Sequence, residues 1–108
     1  MPLPATVQIG PLIYTINDDK ARYNEVAVEQ ECSLWGRIFY GTAEIVLCPT
    51  DQNDQHKRLA LLHECLHGVW HLHDKTHEND EAFLRSMSAD LLDTLRRNPD
   101  LVAYLMET

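Results

Sequence analysis

The spacing of apolar and polar positions changes once along this chain. Up to Cys48 the apolar residues fall in short runs broken by Gly, Pro, Asn and Asp. After Pro49 they recur three and four positions apart. Short β-type runs bounded by turn residues predict strands, and the 3.6-residue period predicts amphipathic helices. Thr6 to Ile9 and Leu12 to Ile16 read as two strands, with Gly10-Pro11 as the turn between them. Asn17 to Gln30 is charged and admits a loop, a short helix or a strand around Glu25 to Gln30. Leu34 to Tyr40 reads as a strand, Gly41-Thr42 as a turn, and Ala43 to Cys48 as a second good strand ended by Pro49.

Thr50 or Asp51 is placed to cap a helix that continues to about His73. Leu59, Leu62, Leu66 and Val69 would form its buried stripe, with His63, His67 and Trp70 beside it. A second helix is expected from about Asn79 to Arg97, with Leu84, Met87, Ser88, Leu91, Leu92 and Leu95 facing inward. Asn98-Pro99 should stop it, and Leu101 to Met106 add one or two helical turns docked on the core. Strands first and helices afterwards predict an α+β domain, a small antiparallel or mixed sheet packed on helices.

Composition narrows the function classes. The chain has 108 residues, the size of one domain with one core, so residues 1–108 are read as a single unit. No stretch is long and apolar enough to span a membrane. The start, Met1-Pro2-Leu3-Pro4-Ala5, lacks the charged and apolar regions of a secretory signal, which predicts a cytosolic protein. The formal net charge of −8 leaves no basic footprint for nucleic acid and leans toward a basic or neutral partner. Cys32, Cys48 and Cys65 are odd in number and scattered, so they read as reduced thiols rather than a disulfide framework.

The chemistry concentrates in His63-Glu64-Cys65-Leu66-His67, an H-E-x-x-H sequence on the first long helix. Residues four apart share a helix face, so both imidazoles can reach one zinc ion, with Glu64 beside them as general base. Two histidines rarely complete a zinc site. Glu81 is the first choice for the third ligand, three residues before Leu84 and seven before Ser88 on the expected inward face. His73 is the rival: it stands ten residues after His63, the spacing of longer H-E-x-x-H-x-x-G-x-x-H sites. That motif needs glycine where Trp70 stands. His71 lies too far along the axis of a straight helix, and His77 falls in the connection. His71 and His73 are otherwise expected to be surface residues. The bland alternative, a solvated polar face, is weakened because five of the six histidines fall between His63 and His77. His77, Tyr23, Tyr40 and Arg85 all remain open as the donor to a tetrahedral oxyanion. If Glu44 to Leu47 is a sheet edge, an extended peptide could add to it beside the metal.

The sequence Trp35-Gly36-Arg37-Ile38-Phe39-Tyr40, then Glu44-Ile45-Val46-Leu47, then Leu61-Leu62-His63-Glu64-Cys65-Leu66-His67-Gly68 is followed by Glu81-x-x-Leu84-x-x-x-Ser88 and Leu95-Arg96-Arg97-Asn98-Pro99-Asp100-Leu101. Over roughly Leu34 to Leu101 this order resembles the short phage- and prophage-type ImmA/IrrE-like zinc metallopeptidases of the gluzincin group. The resemblance implies a minimal zincin-like fold, a small sheet against two metal-bearing helices. It implies zinc held by His63, His67 and Glu81, with Glu64 as catalytic base. It further implies a peptide or regulatory-protein substrate in a bacterial or phage-infected cytoplasm. Arg85 departs from the family pattern, in which a second acidic residue often follows one turn after the ligand. Two other classes compete: a zinc-binding interaction module without turnover, and a structural domain whose histidines bind nothing.

Overall fold

The computed structural model describes residues 2–30, 35–49, 54–73 and 80–107, with the side chains of 28–30 and 80–85 outside that description. Its elements are strands β1 (Thr6–Ile9) and β2 (Leu12–Asn17), helix α1 (Lys20–Gln30), strands β3 (Gly36–Phe39) and β4 (Glu44–Leu47), then helices α2 (Asp54–His71), α3 (Asp80–Arg97) and α4 (Pro99–Met106). The α+β class is therefore the observed one. The strands form one mixed sheet in the order β1-β2-β4-β3. β1 and β2 pair antiparallel, β2 and β4 parallel, and β3 and β4 antiparallel.

Local chemistry accounts for these connections. Gly10 joins β1 to β2 with φ +59°, and Pro11 follows it. A two-residue hairpin loop with positive φ at its first position favours glycine there. Parallel β2 and β4 cannot be joined by a tight turn, so the chain crosses over through α1 and β3. The ambiguous segment after Asn17 resolves as helix because Asp19 caps it. The Asp19 side chain accepts from the Arg22 N–H at 3.0 Å, and Asn17 Oδ1 accepts from the Asp19 N–H at 2.8 Å. Strand alternation sends Val46 to the face opposite Ile45 and Leu47, and α1 packs there with Val26 buried.

The main core lies on the other face. Val7, Ile9, Tyr14, Ile16, Ile38, Ile45 and Leu47 from the sheet meet Ala60, Leu61, Cys65 and Val69 of α2 and Leu101 and Tyr104 of α4. This corrects the stripe expected on α2. Leu59 is 60% exposed, and Leu62 and Leu66 are only half-buried. The helix carries two apolar rows, and the row rich in small residues faces the sheet. Gly68 explains the choice: a Cβ there would stand 2.6 Å from Ile9 Cδ1, so a side chain would hold the helix off β1. The inward face of α3 is shifted too. Thr94 is buried, Met87, Leu91 and Leu95 are half-buried, and Ser88 and Leu92 are exposed. Leu84 lies outside the described side chains, as do Thr50 and Asp51, the expected cap of α2, outside the described residues.

Asn98 is more than a helix stop. Its side-chain amide pairs with β1, accepting from the Gln8 N–H at 2.9 Å and donating to the Gln8 carbonyl at 2.8 Å. It also donates to the Thr94 carbonyl at 2.6 Å. One side chain thus covers the open edge at β1 and joins α3 to α4. Among the described residues no helix is long and apolar enough to cross a membrane. Cys48 and Cys65 are buried, and Cys32 lies outside the described residues.

The contact of Gly68 with Ile9 gives a stability prediction. Alanine in a helix interior is favoured over glycine by about 1 kcal/mol. Overpacking a filled core costs about 1–3 kcal/mol. Gly68→Ala should therefore be neutral to destabilising by up to about 2 kcal/mol in urea unfolding. In an Ile9→Val background, which removes the clashing methyl, the same substitution should stabilise. A gain from Gly68→Ala in the wild-type background would show that α2 does not approach β1 this closely.

Candidate metal centre

α2 places its chemistry by the angle at which it lies on the sheet. With Leu61, Cys65 and Gly68 turned to the core, positions 63 and 67 point out to solvent and position 64 points under the sheet's edge. His63 and His67 are both exposed, with rings at 80° and centroids 4.7 Å apart. Their Nε2 atoms stand 3.1 Å apart. Two neutral imidazoles can share a hydrogen bond at that distance. It also fits a shared metal, since two nitrogens bound at about 2.0–2.1 Å in a tetrahedral site lie roughly 3.3 Å from each other. The spacing is thus compatible with a shared hydrogen bond and with a shared metal.

Glu64 is 6% exposed. Its chain lies against Gly36, whose missing side chain leaves the room: a Cβ there would be 3.5 Å from Glu64 Cγ and 2.9 Å from Leu47 Cδ2. Burial pushes the Glu64 carboxyl above its ordinary range, opposed by His67, His63 and a hydrogen bond from the Ile38 backbone N–H. Cys65, inside the motif, has its thiol pushed up to about 12, chiefly by burial, and is a packing residue rather than a ligand.

β3 runs beside α2 in the same direction. The Trp35 ring meets His56 at 4.4 Å, Gly36 lies over Glu64, Ile38 packs near Gly68, and the Tyr40 ring stacks on His71 at 3.9 Å and 11°. The Tyr40 hydroxyl donates to the His67 carbonyl at 3.4 Å. β3, and not β4, is the sheet edge on this side, because β4 is held between β2 and β3. The proposal of a peptide adding to Glu44–Leu47 is overturned by that topology. Of the four open oxyanion donors, Tyr40 adjoins the site, its phenol pushed up by burial and by Glu64. Tyr23 is on α1, across the sheet. His77 and the Arg85 side chain lie outside the described residues.

The third ligand separates the two candidates. Among the described residues no group of three His, Cys, Asp or Glu side chains converges. His73, which is described, therefore does not join the pair. α2 runs helical through Gly68 and Trp70 to His71, so nothing bends His73 back, and its Nε2 lies 2.8 Å from Asp90 Oδ2 instead. His73 is thus half-buried and paired with Asp90, while His71 is an exposed surface residue whose ring stacks on Tyr40. Glu81 is the second residue of α3, and its side chain is outside the described residues. Asp90 meets His73 beyond the end of α2, while Met87 lines the same groove as His63 and His67.

Sequence reasoning missed the groove's walls. A concavity of about 460 Å³ is lined, among the described residues, by His63, Leu66, His67, Trp70 and Met87. Periodicity marks Trp70 only as a neighbour of the stripe and assigns Leu66 and Met87 to the core. The signal that could have found them is the second apolar row of α2, which a single helix cannot bury on one sheet.

Two outcomes are expected. Glu81→Ala should weaken zinc binding by at least about 10–100-fold, with little effect from His73→Ala; the reverse result by zinc titration would make His73 the ligand. In metal-free protein, Glu64→Gln should be more stable than wild type at neutral pH. A raised carboxyl favours folding when protonated, so the gain should shrink as pH falls through Glu64's raised folded value. It should vanish below the unfolded value near about 4.3. Equal urea midpoints at neutral pH would show that the Glu64 charge is not desolvated.

No protein-family model matches this chain, and neither a curated protein nor a solved structure matches it.

Proposed function

We propose that this protein is a zinc-dependent peptidase that hydrolyses peptide bonds in a peptide or a flexible segment of a regulatory protein, in a bacterial or phage-infected cytoplasm. The observation that carries the reading is the pair of Nε2 atoms 3.1 Å apart with a buried carboxyl on the next residue. His63 and His67 would hold zinc, with Glu81 completing a His₂Glu set as in the ImmA/IrrE-like metallopeptidases that the motif order resembles. Zinc bound there supplies Lewis-acid polarisation of a carbonyl and a more acidic water.

The chain's own groups do the proton work. Glu64 accepts a proton at its carboxylate and returns it to the departing amine. A carboxyl already raised by burial is nearer in proton affinity to the group it serves. Gly36 and the Ile38 N–H fix where that carboxylate sits. Tyr40, whose hydroxyl would have to turn from the His67 carbonyl, would serve as the donor to an oxyanion. An extended substrate would pair with the β3 edge, which runs along α2.

One observation favours a second reading, a zinc-binding interaction module without turnover. Glu64 is tucked beneath β3 and is not among the residues lining the groove. Glu64→Gln separates the two. The peptidase reading expects cleavage of a mixed peptide pool to fall by at least about a thousandfold, the scale lost when a catalytic base is removed, while bound zinc is unchanged. Identical behaviour of wild type and Glu64→Gln toward every peptide would leave the interaction module as the function.

A further inference from the structure

We infer that the Glu64 carboxylate and an extended peptide on the β3 edge compete for one donor, the Ile38 N–H, so that seating the peptide turns Glu64 out toward the histidine pair. This rests on the peptidase reading and adds how its base is brought to the site. The register of β3 sets up the competition. The Trp35 carbonyl accepts from the Cys48 N–H at 3.0 Å, and Arg37 and Phe39 stand opposite Val46 and Glu44. Hydrogen-bonded pairs alternate with non-bonded ones along an antiparallel ladder. Trp35, Arg37 and Phe39 therefore direct their backbone groups to β4, and Gly36, Ile38 and Tyr40 turn theirs to the open side. β3 is the last strand of the sheet, so an added strand would meet those groups first.

A side chain of α2 already reaches one of them. The Ile38 N–H donates to the Glu64 carboxylate. Gly36 leaves the path open, since a Cβ there would stand 3.5 Å from Glu64 Cγ. Glu64 held this way is buried, and it is not among the residues that line the groove with His63 and His67. A base serving that pair has to leave this position, because proton transfer needs hydrogen-bond reach. One N–H makes one strong hydrogen bond, so a peptide carbonyl gains it only as Glu64 gives it up. The carboxylate makes the stronger single bond. A strand makes several at once, with the backbone of Gly36 and Tyr40 as well. An extended segment can therefore displace Glu64 where a dipeptide cannot, and the base is delivered only when such a segment lies on β3.

The test uses the full chain without metal, where no peptide is cut and binding is read apart from catalysis. An acetylated, amidated heptapeptide of alternating Thr and Val is titrated and followed by NMR at the Gly36, Ile38 and Tyr40 amides. Glu64→Ala should bind it about tenfold more tightly than wild type, the scale of one hydrogen bond to a charged group. Glu64→Gln, whose neutral amide is the weaker acceptor, should fall between them. Before any peptide is added, the Ile38 amide proton should move upfield in both variants. Should Glu64→Ala fail to fold, Glu64→Gln against wild type carries the same comparison. Equal affinity across the proteins, or tighter binding by wild type, overturns the inference. So does a peptide that binds without moving the Ile38 amide, or one that does not bind at all. Failure of the peptidase reading looks different: zinc-loaded wild type would cut no peptide while the affinities still ranked as stated.

Discussion

Everything at the candidate site depends on how closely α2 lies on the sheet. The helix has two apolar rows, and only one can be buried there. Gly68, without a side chain, lets the backbone approach Ile9 on β1, and Ala60 and Cys65 continue the same small-residue face. That choice sets the rotation of the helix. It turns His63 and His67 outward as a pair, turns Glu64 inward beneath β3, and leaves Leu66 and Trp70 on a surface shared with α3. A rotation by one residue, about 100°, would bury a histidine and expose the carboxylate.

The electrostatics follow from that rotation. The histidines stay exposed to solvent. Glu64 is desolvated, and burial raises its carboxyl against the opposing pull of His67, His63 and the Ile38 backbone N–H. Gly36 completes the arrangement from the other side, because a side chain there would press on Leu47 and crowd Glu64. Two glycines distant in sequence, Gly36 and Gly68, thus define the slot in which the carboxylate lies.

Much of the secondary structure was legible because it is local. The Gly10-Pro11 turn, the end of β4 before Pro49 and the helix break at Asn98-Pro99 each depend on residues whose backbone limits are intrinsic. The H-E-x-x-H spacing was legible for the same reason: a helix alone brings positions 63 and 67 together. What periodicity could not decide was tertiary. Leu59, Leu62 and Leu66 have helical spacing as good as that of Leu61, Cys65 and Val69, and only the sheet's need for close approach favours the second row. Helix α1 was ambiguous because its core contribution is small, and its start depends on the Asp19 cap. Sequence order leaves β4 open as an edge because it hides the crossover that sets it between β2 and β3. Counting from Leu84 turns Ser88 inward, whereas Thr94 marks the buried face of α3.

The central claim is that α2 presents two imidazoles and no thiol to one metal ion. X-ray absorption at the zinc edge, on protein purified without a histidine tag, tests it most directly. The account predicts stoichiometric zinc in a shell of nitrogen and oxygen ligands with two imidazole signatures, lost in His63→Ala and in His67→Ala. Absence of stoichiometric zinc, or a shell containing sulfur, would contradict it.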